Sequence, residues 1–416
     1  MTRNIIALIG LVLLVGCSGG GGEDSAAPSP STSSTPTAQP DMLVATSDGL
    51  WRGQATGKGG LIFAHANLQR ETVLVNEGNV VYSRTLGTPS RDIWNVRADG
   101  TEDHALVNTK DDEHLWAVNG PWVVYGKQIE TPIPGGVGTS SQQQQWSLRM
   151  DTGAQFRLAN DWWPMNVYFY GADRVIFQMD HEIFSETVTG TGRIQHAEFM
   201  DVEMSAARIV GSALTYARED ISGQPDAILS QLFAVPLAGG ATVPLDSDQF
   251  STYSYTSIGN RVVYQRCTPP YTPCDVVSIE ADGTDRVVLA SHPANEAVQG
   301  VTADRVIIRR NLAGSDQLIA VPVAGGAEKL LMTMTDNEFV DLIVGDLLIV
   351  RRPSGTWSLD LNGTLTKLGT VVGDSGFIAV GGSVCLNKGT AVWCMPLDGQ
   401  GQAVKIANDG KVVGVL

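Results

Sequence analysis

Several things are scarce or missing in these 416 residues, and each absence removes a class of protein. Cations are outnumbered, 28 Lys and Arg against 44 Asp and Glu, for a formal net charge of −16. Such a chain repels nucleic acid and anionic lipid surfaces, leaving cations, neutral glycans and proteins as partners. Helical periodicity is nearly absent, and no apolar run after Cys17 is long enough to span a bilayer. There is no G-x-S-x-G, no H-E-x-x-H and no C-x-x-C, so the usual signatures of a serine-hydrolase elbow, a zinc-protease helix and a paired-thiolate metal site are missing. The six histidines, His65, His104, His114, His181, His196 and His292, lie apart, with none at ligand spacing to another.

What is present begins with an export signal. Residues 1–16 carry Arg3, an apolar run from Ile5 to Val15, and lead into Leu14-Val15-Gly16-Cys17. This is the layout of a secretory signal with a small-residue cleavage site. The tetrad resembles the bacterial lipobox, which implies cleavage before Cys17 and lipidation of that cysteine. Ser18 resembles the sorting choice for the outer membrane in a cell that has two membranes, so the expected location is the cell envelope, lipid-anchored. Residues 17–40 are dominated by Gly, Ser, Thr, Pro and Ala, a composition that cannot bury enough apolar surface to fold. They read as a tether with a coil reach of roughly 25–30 Å.

Beyond the tether a unit recurs: an apolar or aromatic residue followed six positions later by glycine. Trp51/Gly57, Trp94/Gly100, Phe184/Gly190, Phe233/Gly239, Val277/Gly283, Ile319/Gly325, Trp357/Gly363 and Trp393/Gly399 fit, and Trp146 adds a ninth copy with its glycine slipped to Gly153. Copies lie 36 to 52 residues apart, around the length of a propeller blade and too long for leucine-rich or ankyrin units. Ile93-Trp94-Asn95-Val96-Arg97 alternates before Ala98-Asp99-Gly100, and Ala105-Leu106-Val107 follows, which is a hairpin. A second pair joined by a tight turn precedes each anchor, so each unit has four strands. The predicted fold class is all-β: a single β-propeller over residues 41–416, with eight to nine blades and a literal repeat count of nine. The first unit lacks an inner strand. Val412 to Leu416 reads as that strand, closing the ring and covering an edge that would otherwise be open.

DIWNVRADGTEDHALV (92–107) and DVVSIEADGTDRVVL (275–289) resemble the TolB-type propeller repeat, with QLFAVPLAGGATVPL and QLIAVPVAGGAEKLL as looser copies. The resemblance covers most of residues 41–416. It implies blades and specifies no activity.

Five cysteines leave Cys17 for the lipid and two local pairs. Cys385 and Cys394 flank a hairpin whose two-residue loop is Gly389-Thr390, and counting outward places them at a non-hydrogen-bonded pair, within bridging range. Cys267 and Cys274 bracket a proline-rich loop. Both pairs are expected as structural disulfides in an exported chain.

No residue emerges as catalytic and no cofactor is predicted. Gly373-Asp374-Ser375-Gly376 matches the surroundings of a chymotrypsin-type serine, yet it sits in a turn before an inner strand, where turn chemistry alone favours these residues. Asp111-Asp112-Glu113-His114 and Asp180-His181-Glu182 read as solvated polar loops ahead of divalent-metal sites. The Asp-Gly turns at Asp99, Asp282 and Asp398 read as hairpin turns ahead of calcium loops.

Trp51, Trp94, Trp146, Trp357 and Trp393 share one repeat position and are expected to pack between blades. Trp116, Trp162 and Trp163 fall outside that register, and Trp162-Trp163 precedes an inner strand, a candidate sugar or peptide platform. Loops joining each unit to the next emerge on the same rim as those joining second to third strands. Asn108 to His114, Asp161 to Trp163 and the insertion Gln128 to Gln145 therefore share a face that should be acidic and aromatic. The candidate ligand residues are Trp162, Trp163, Trp116, Asp111, Asp112 and Asp161. The leading expectation is a non-catalytic binding or scaffolding propeller that recognises a protein or glycan at this rim. The alternative is an enzyme of polysaccharide lyase or hydrolase type at the channel mouth.

Overall fold

The computed structural model describes residues 41–415 apart from 67, 69–70, 86–89, 133–138, 159–163, 165, 180–181, 199–202, 205–206, 221–228, 247–254 and 268–272. Cys17, the tether, Asp161, Trp162, Trp163 and His181 lie outside the described residues. Nine antiparallel sheets form a β-propeller of nine blades, resolving the eight-to-nine count, with no α-helix among the described residues. Blade 1 is Met42–Ala45, Gly49–Gly53 and Gly59–Ala64, with Lys411–Val415 supplying its innermost strand. Met42 pairs with Val415 and Ala45 with Lys411, so the last strand closes the ring as its sequence implied. Blades 2 to 9 follow in chain order over residues 73–107, 112–158, 166–198, 203–244, 255–290, 295–334, 339–369 and 375–407.

The core divides by seam. Nine buried clusters each join two adjacent blades, because strand side chains alternate between the two faces of a blade and each face meets a neighbour. Eight of the nine repeat anchors belong to or pack against one of these clusters. Trp357 instead lies beneath Arg352 and Lys367.

The repeat glycine has two physical reasons. Its φ lies between +68° and +89° in all nine copies, a region that L side chains avoid. In most copies the turn also presses on the preceding blade: a Cβ on Gly100 would sit 2.1 Å from the Ile62 carbonyl oxygen, and one on Gly190 2.4 Å from that of Arg157. Gly153, the slipped copy, has nothing within 4 Å. The turn aspartates are also accounted for. Asp99 accepts the Thr101 N–H at 3.0 Å and its hydroxyl at 2.6 Å, and Asp282 does the same with Thr284 at 2.9 and 2.6 Å.

Both local cysteine pairs are bridged. Cys267 faces Cys274 and Cys385 faces Cys394 directly across their strands, with Cα atoms 4.1 and 4.0 Å apart.

Candidate binding face on blades 2 and 3

Strands alternate direction within a blade, so the link between second and third strands and the link to the next blade leave on one face, the rim. Among the described residues blade 3 departs most from the repeat there. Residues 128–145, expected as a loop, instead extend two strands, Trp122–Pro132 and Thr139–Arg149, paired from Arg149↔Trp122 to Thr139↔Pro132. The innermost strand, Asp112–Asn119, stops pairing at Gln128 and the outermost, Ala154–Leu158, at Gln145. Residues 129–132 and 139–142 therefore rise as a two-stranded ribbon of about 13 Å with both edges unpaired in the sheet. Its Glu130, Thr131, Ser140, Ser141 and Gln142 are exposed.

At the foot of this ribbon stands a charged cluster. Arg91, from the third strand of blade 2, donates its backbone N–H to Asp112 at 2.7 Å and its guanidinium to both Asp112 carboxylate oxygens at 3.1 and 2.7 Å. His114 Nε2 lies 3.1 Å from the same carboxylate, and these three side chains are 24 to 36% exposed. Burial works against the Asp112 carboxylate, but the hydrogen bonds and charge of Arg91 hold it below the usual range. Burial and then Arg91 lower His114, which favours the neutral imidazole.

Of the predicted ligand residues, Asp111, Asp112 and Trp116 are described and lie close together. Asp112 joins the ion network, while Asp111 pairs with Lys127 at 2.9 Å. Trp116 occupies a bulge in the innermost strand between Leu115 and Ala117, which turns its ring toward the seam with blade 4. It stacks on His114 with ring centroids 6.2 Å apart and donates its indole N–H to Gln145 at 2.9 Å. Its ring is partly buried by these contacts.

Beneath the exposed network lies a second group that sequence reasoning missed. Glu71, Glu113, Glu296 and Glu338 occupy one repeat position, at or just before the head of an innermost strand, and a basic residue follows each by 13 or 14 residues: Arg84, Lys127, Arg310 and Arg352. Arg310 pairs with Glu296 at 2.7 Å and Arg352 with Glu338. In blades 2 and 3 the pairing fails: Arg84 lies 3.9 Å from Asp103, and Lys127 goes to Asp111. Glu113 is wholly buried, accepts a hydrogen bond from the Thr109 hydroxyl on one oxygen, and has no partner for the other. Across the seam Asp92, 5% exposed, also has an unpartnered oxygen. Burial first, then the negative charge of Asp92, pushes the Glu113 carboxyl up to about 7, against the pull of Thr109 and Lys127. Burial likewise raises Asp92.

Elsewhere, the Asp374 carboxylate of the G-D-S-G tetrad accepts the Gly389 N–H at 2.7 Å, bracing a hairpin. Among the described residues no three of His, Cys, Asp and Glu converge as metal ligands.

No protein-family model matches the sequence, and no curated protein matches it. Among solved structures the chain is similar to dipeptidyl peptidase 4 of Porphyromonas gingivalis, at 10% identity over 81% of this chain and 58% of that one, with a TM-score of 0.55. It is also similar to a eukaryotic initiation factor, at 7% identity over 90% and 97% of the two chains, with a TM-score of 0.63. Puromycin hydrolase aligns over 83% of this chain and 55% of its own, at 15% identity and a TM-score of 0.42. The chain thus spans little more than half the length of either hydrolase. At these identities the likeness shows the β-propeller fold alone.

Proposed function

We infer that this chain is a non-catalytic binding propeller of the cell envelope, which engages a protein or glycan through the rim of blades 2 and 3. One observation carries the reading. In a repeat protein the other blades show what the architecture requires, and blade 3 adds a projecting ribbon that the ring does not need. The ribbon offers unpaired main-chain groups above partly exposed Arg91, Asp112 and His114, a surface suited to an extended polypeptide or a hydroxyl-rich sugar. Trp162 and Trp163 lie outside the described residues and remain candidates from the sequence. An enzyme at the channel mouth draws less support, because the carboxyl with the largest shift, Glu113, is wholly buried and out of a substrate's reach.

The test is capture of partners from intact envelopes by wild type and by a variant in which residues 129–142 are replaced with Asn-Gly, joining Gln128 to Gln143. Loss of captured partners with unchanged melting supports the reading. An unchanged set of partners removes the ribbon from it, and Trp162→Ala with Trp163→Ala then tests the remaining rim. We further infer that Cys17 carries the lipid. Incorporation of a fatty-acid probe into wild type but not into Cys17→Ser checks this, and equal labelling of both would exclude it.

A further inference from the structure

We propose that Asp92 and Glu113 form a proton-operated latch on the seam between blades 2 and 3: one shared proton holds the seam shut, and its loss loosens the rim segment 108–116. The geometry requires some such arrangement. Two buried carboxyls act on one another across the seam, and each has an oxygen that no donor among the described residues reaches. Two full charges there would be costly, whereas a single proton removes one charge and supplies a donor for one of those oxygens.

Among the described residues no cation takes the proton's place: Arg84, opposite Asp92 in the sheet, lies over the Trp94 ring and 3.9 Å from Asp103. Arg91, on the same strand as Asp92, is engaged by Asp112, and Lys127, from the second strand of blade 3, by Asp111. His114, next to Glu113, lies against Asp112 and tends to the neutral form. Tyr125 donates its hydroxyl to Gln155. Glu71, at the head of the blade 2 inner strand, adds further negative charge near Arg91. Thr109, which sits in the segment linking the blades, is hydrogen-bonded to Glu113, so opening of this seam would release the residues that carry the exposed network. The inference does not depend on what the rim binds.

Hydrogen exchange of peptides covering residues 108–116, taken relative to peptides covering 295–312 of blade 7 in the same sample, tests it between pH 5 and 8.5 after correction for intrinsic rates. A Glu113 carboxyl that titrates near 7 when the seam is closed and near its ordinary value when open makes opening rise by up to about tenfold per pH unit between roughly pH 5 and 7, then level off. Glu113→Gln should stay flat at the low-pH level. Asp92→Asn should move the rise to lower pH, because a neutral neighbour lets Glu113 ionise more easily. A flat ratio in wild type overturns the latch whether or not either variant folds. A rise of unchanged size in Glu113→Gln, or a shift to higher pH in Asp92→Asn, overturns the assignment to this pair.

Discussion

Blades 3 and 7 place a buried glutamate at the same point of the repeat and resolve its charge in opposite ways. In blade 7, Glu296 is wholly buried and lies 2.7 Å from Arg310, which also reaches Glu328. Burial still raises Glu296, while Arg310 pulls it back. In blade 3 the corresponding base, Lys127, is diverted by Asp111, and Glu113 faces a second carboxyl. The repeat thus fixes where an ionisable group is buried, and residues outside the repeat decide whether it is held by a cation or by a proton. A seam of the first kind sets a cation against one oxygen of its carboxylate, although the other Glu296 oxygen has no partner, as in Glu113. A seam of the second kind reports pH.

Breaking the blade 7 arrangement should have the largest effect. Arg310→Met leaves Glu296 buried without its cation and should cost about 3–5 kcal/mol at pH 8, read from the urea midpoint. The cost should shrink at pH 5, where Glu296 can neutralise itself by taking a proton. Equal loss at both pH values would mean that packing, not charge, dominates there. The mirror experiment removes the charge in blade 3. The Glu113 carboxyl is raised in the folded state, so its contribution to stability is fully present below the unfolded value, near 4.5, and is lost as pH rises through about 7. Glu113→Gln should therefore match wild type near pH 4 and exceed it by about 1–3 kcal/mol at pH 8. A variant no more stable than wild type at pH 8 would show that Glu113 is better solvated than its burial implies.

A smaller contrast separates blade 3 from blade 8 at the repeat glycine. Gly153 and Gly363 both have left-handed φ, 68° and 88°, but only a Cβ on Gly363 would meet the preceding blade, 3.0 Å from the Leu331 carbonyl oxygen. Alanine at either position is strained, and Gly363→Ala should cost about 1 kcal/mol more than Gly153→Ala by thermal melting. Equal costs would assign the glycine requirement to backbone conformation alone.

The architecture was legible because it is periodic. A period of two within strands, a glycine every blade and a strand missing at one end but present at the other specify the ring, and counting outward from Gly389-Thr390 finds the Cys385–Cys394 register. The candidate site was legible only in part. Residues 128–145 read as a loop because strands are recognised by one buried face, and a ribbon standing above the body has none. The direction of the Trp116 ring was not legible because a one-residue bulge redirects a side chain without altering composition. The Glu-to-base spacing of 13 or 14 was visible in the sequence, but its meaning needs the strand register that brings the two together. The exception in blade 3 could not be read at all, since it depends on which of two carboxylates Lys127 meets.

That choice can be reversed. Asp111→Asn removes the competitor and leaves Lys127 free to turn toward Glu113, restoring in blade 3 the pairing found in blades 7 and 8. The Lys127–Asp111 pair is partly exposed, its side chains 19% and 11% accessible, so losing it should cost less than about 1 kcal/mol. The informative readout is the pH slope. With a cation beside it Glu113 ionises at lower pH, so the decline in stability between pH 5 and 8 should flatten while the absolute stability hardly moves. A decline as steep as in wild type would mean that Lys127 cannot reach across. The carboxyl pair would then be isolated by the path of the strands themselves, not by the competing aspartate.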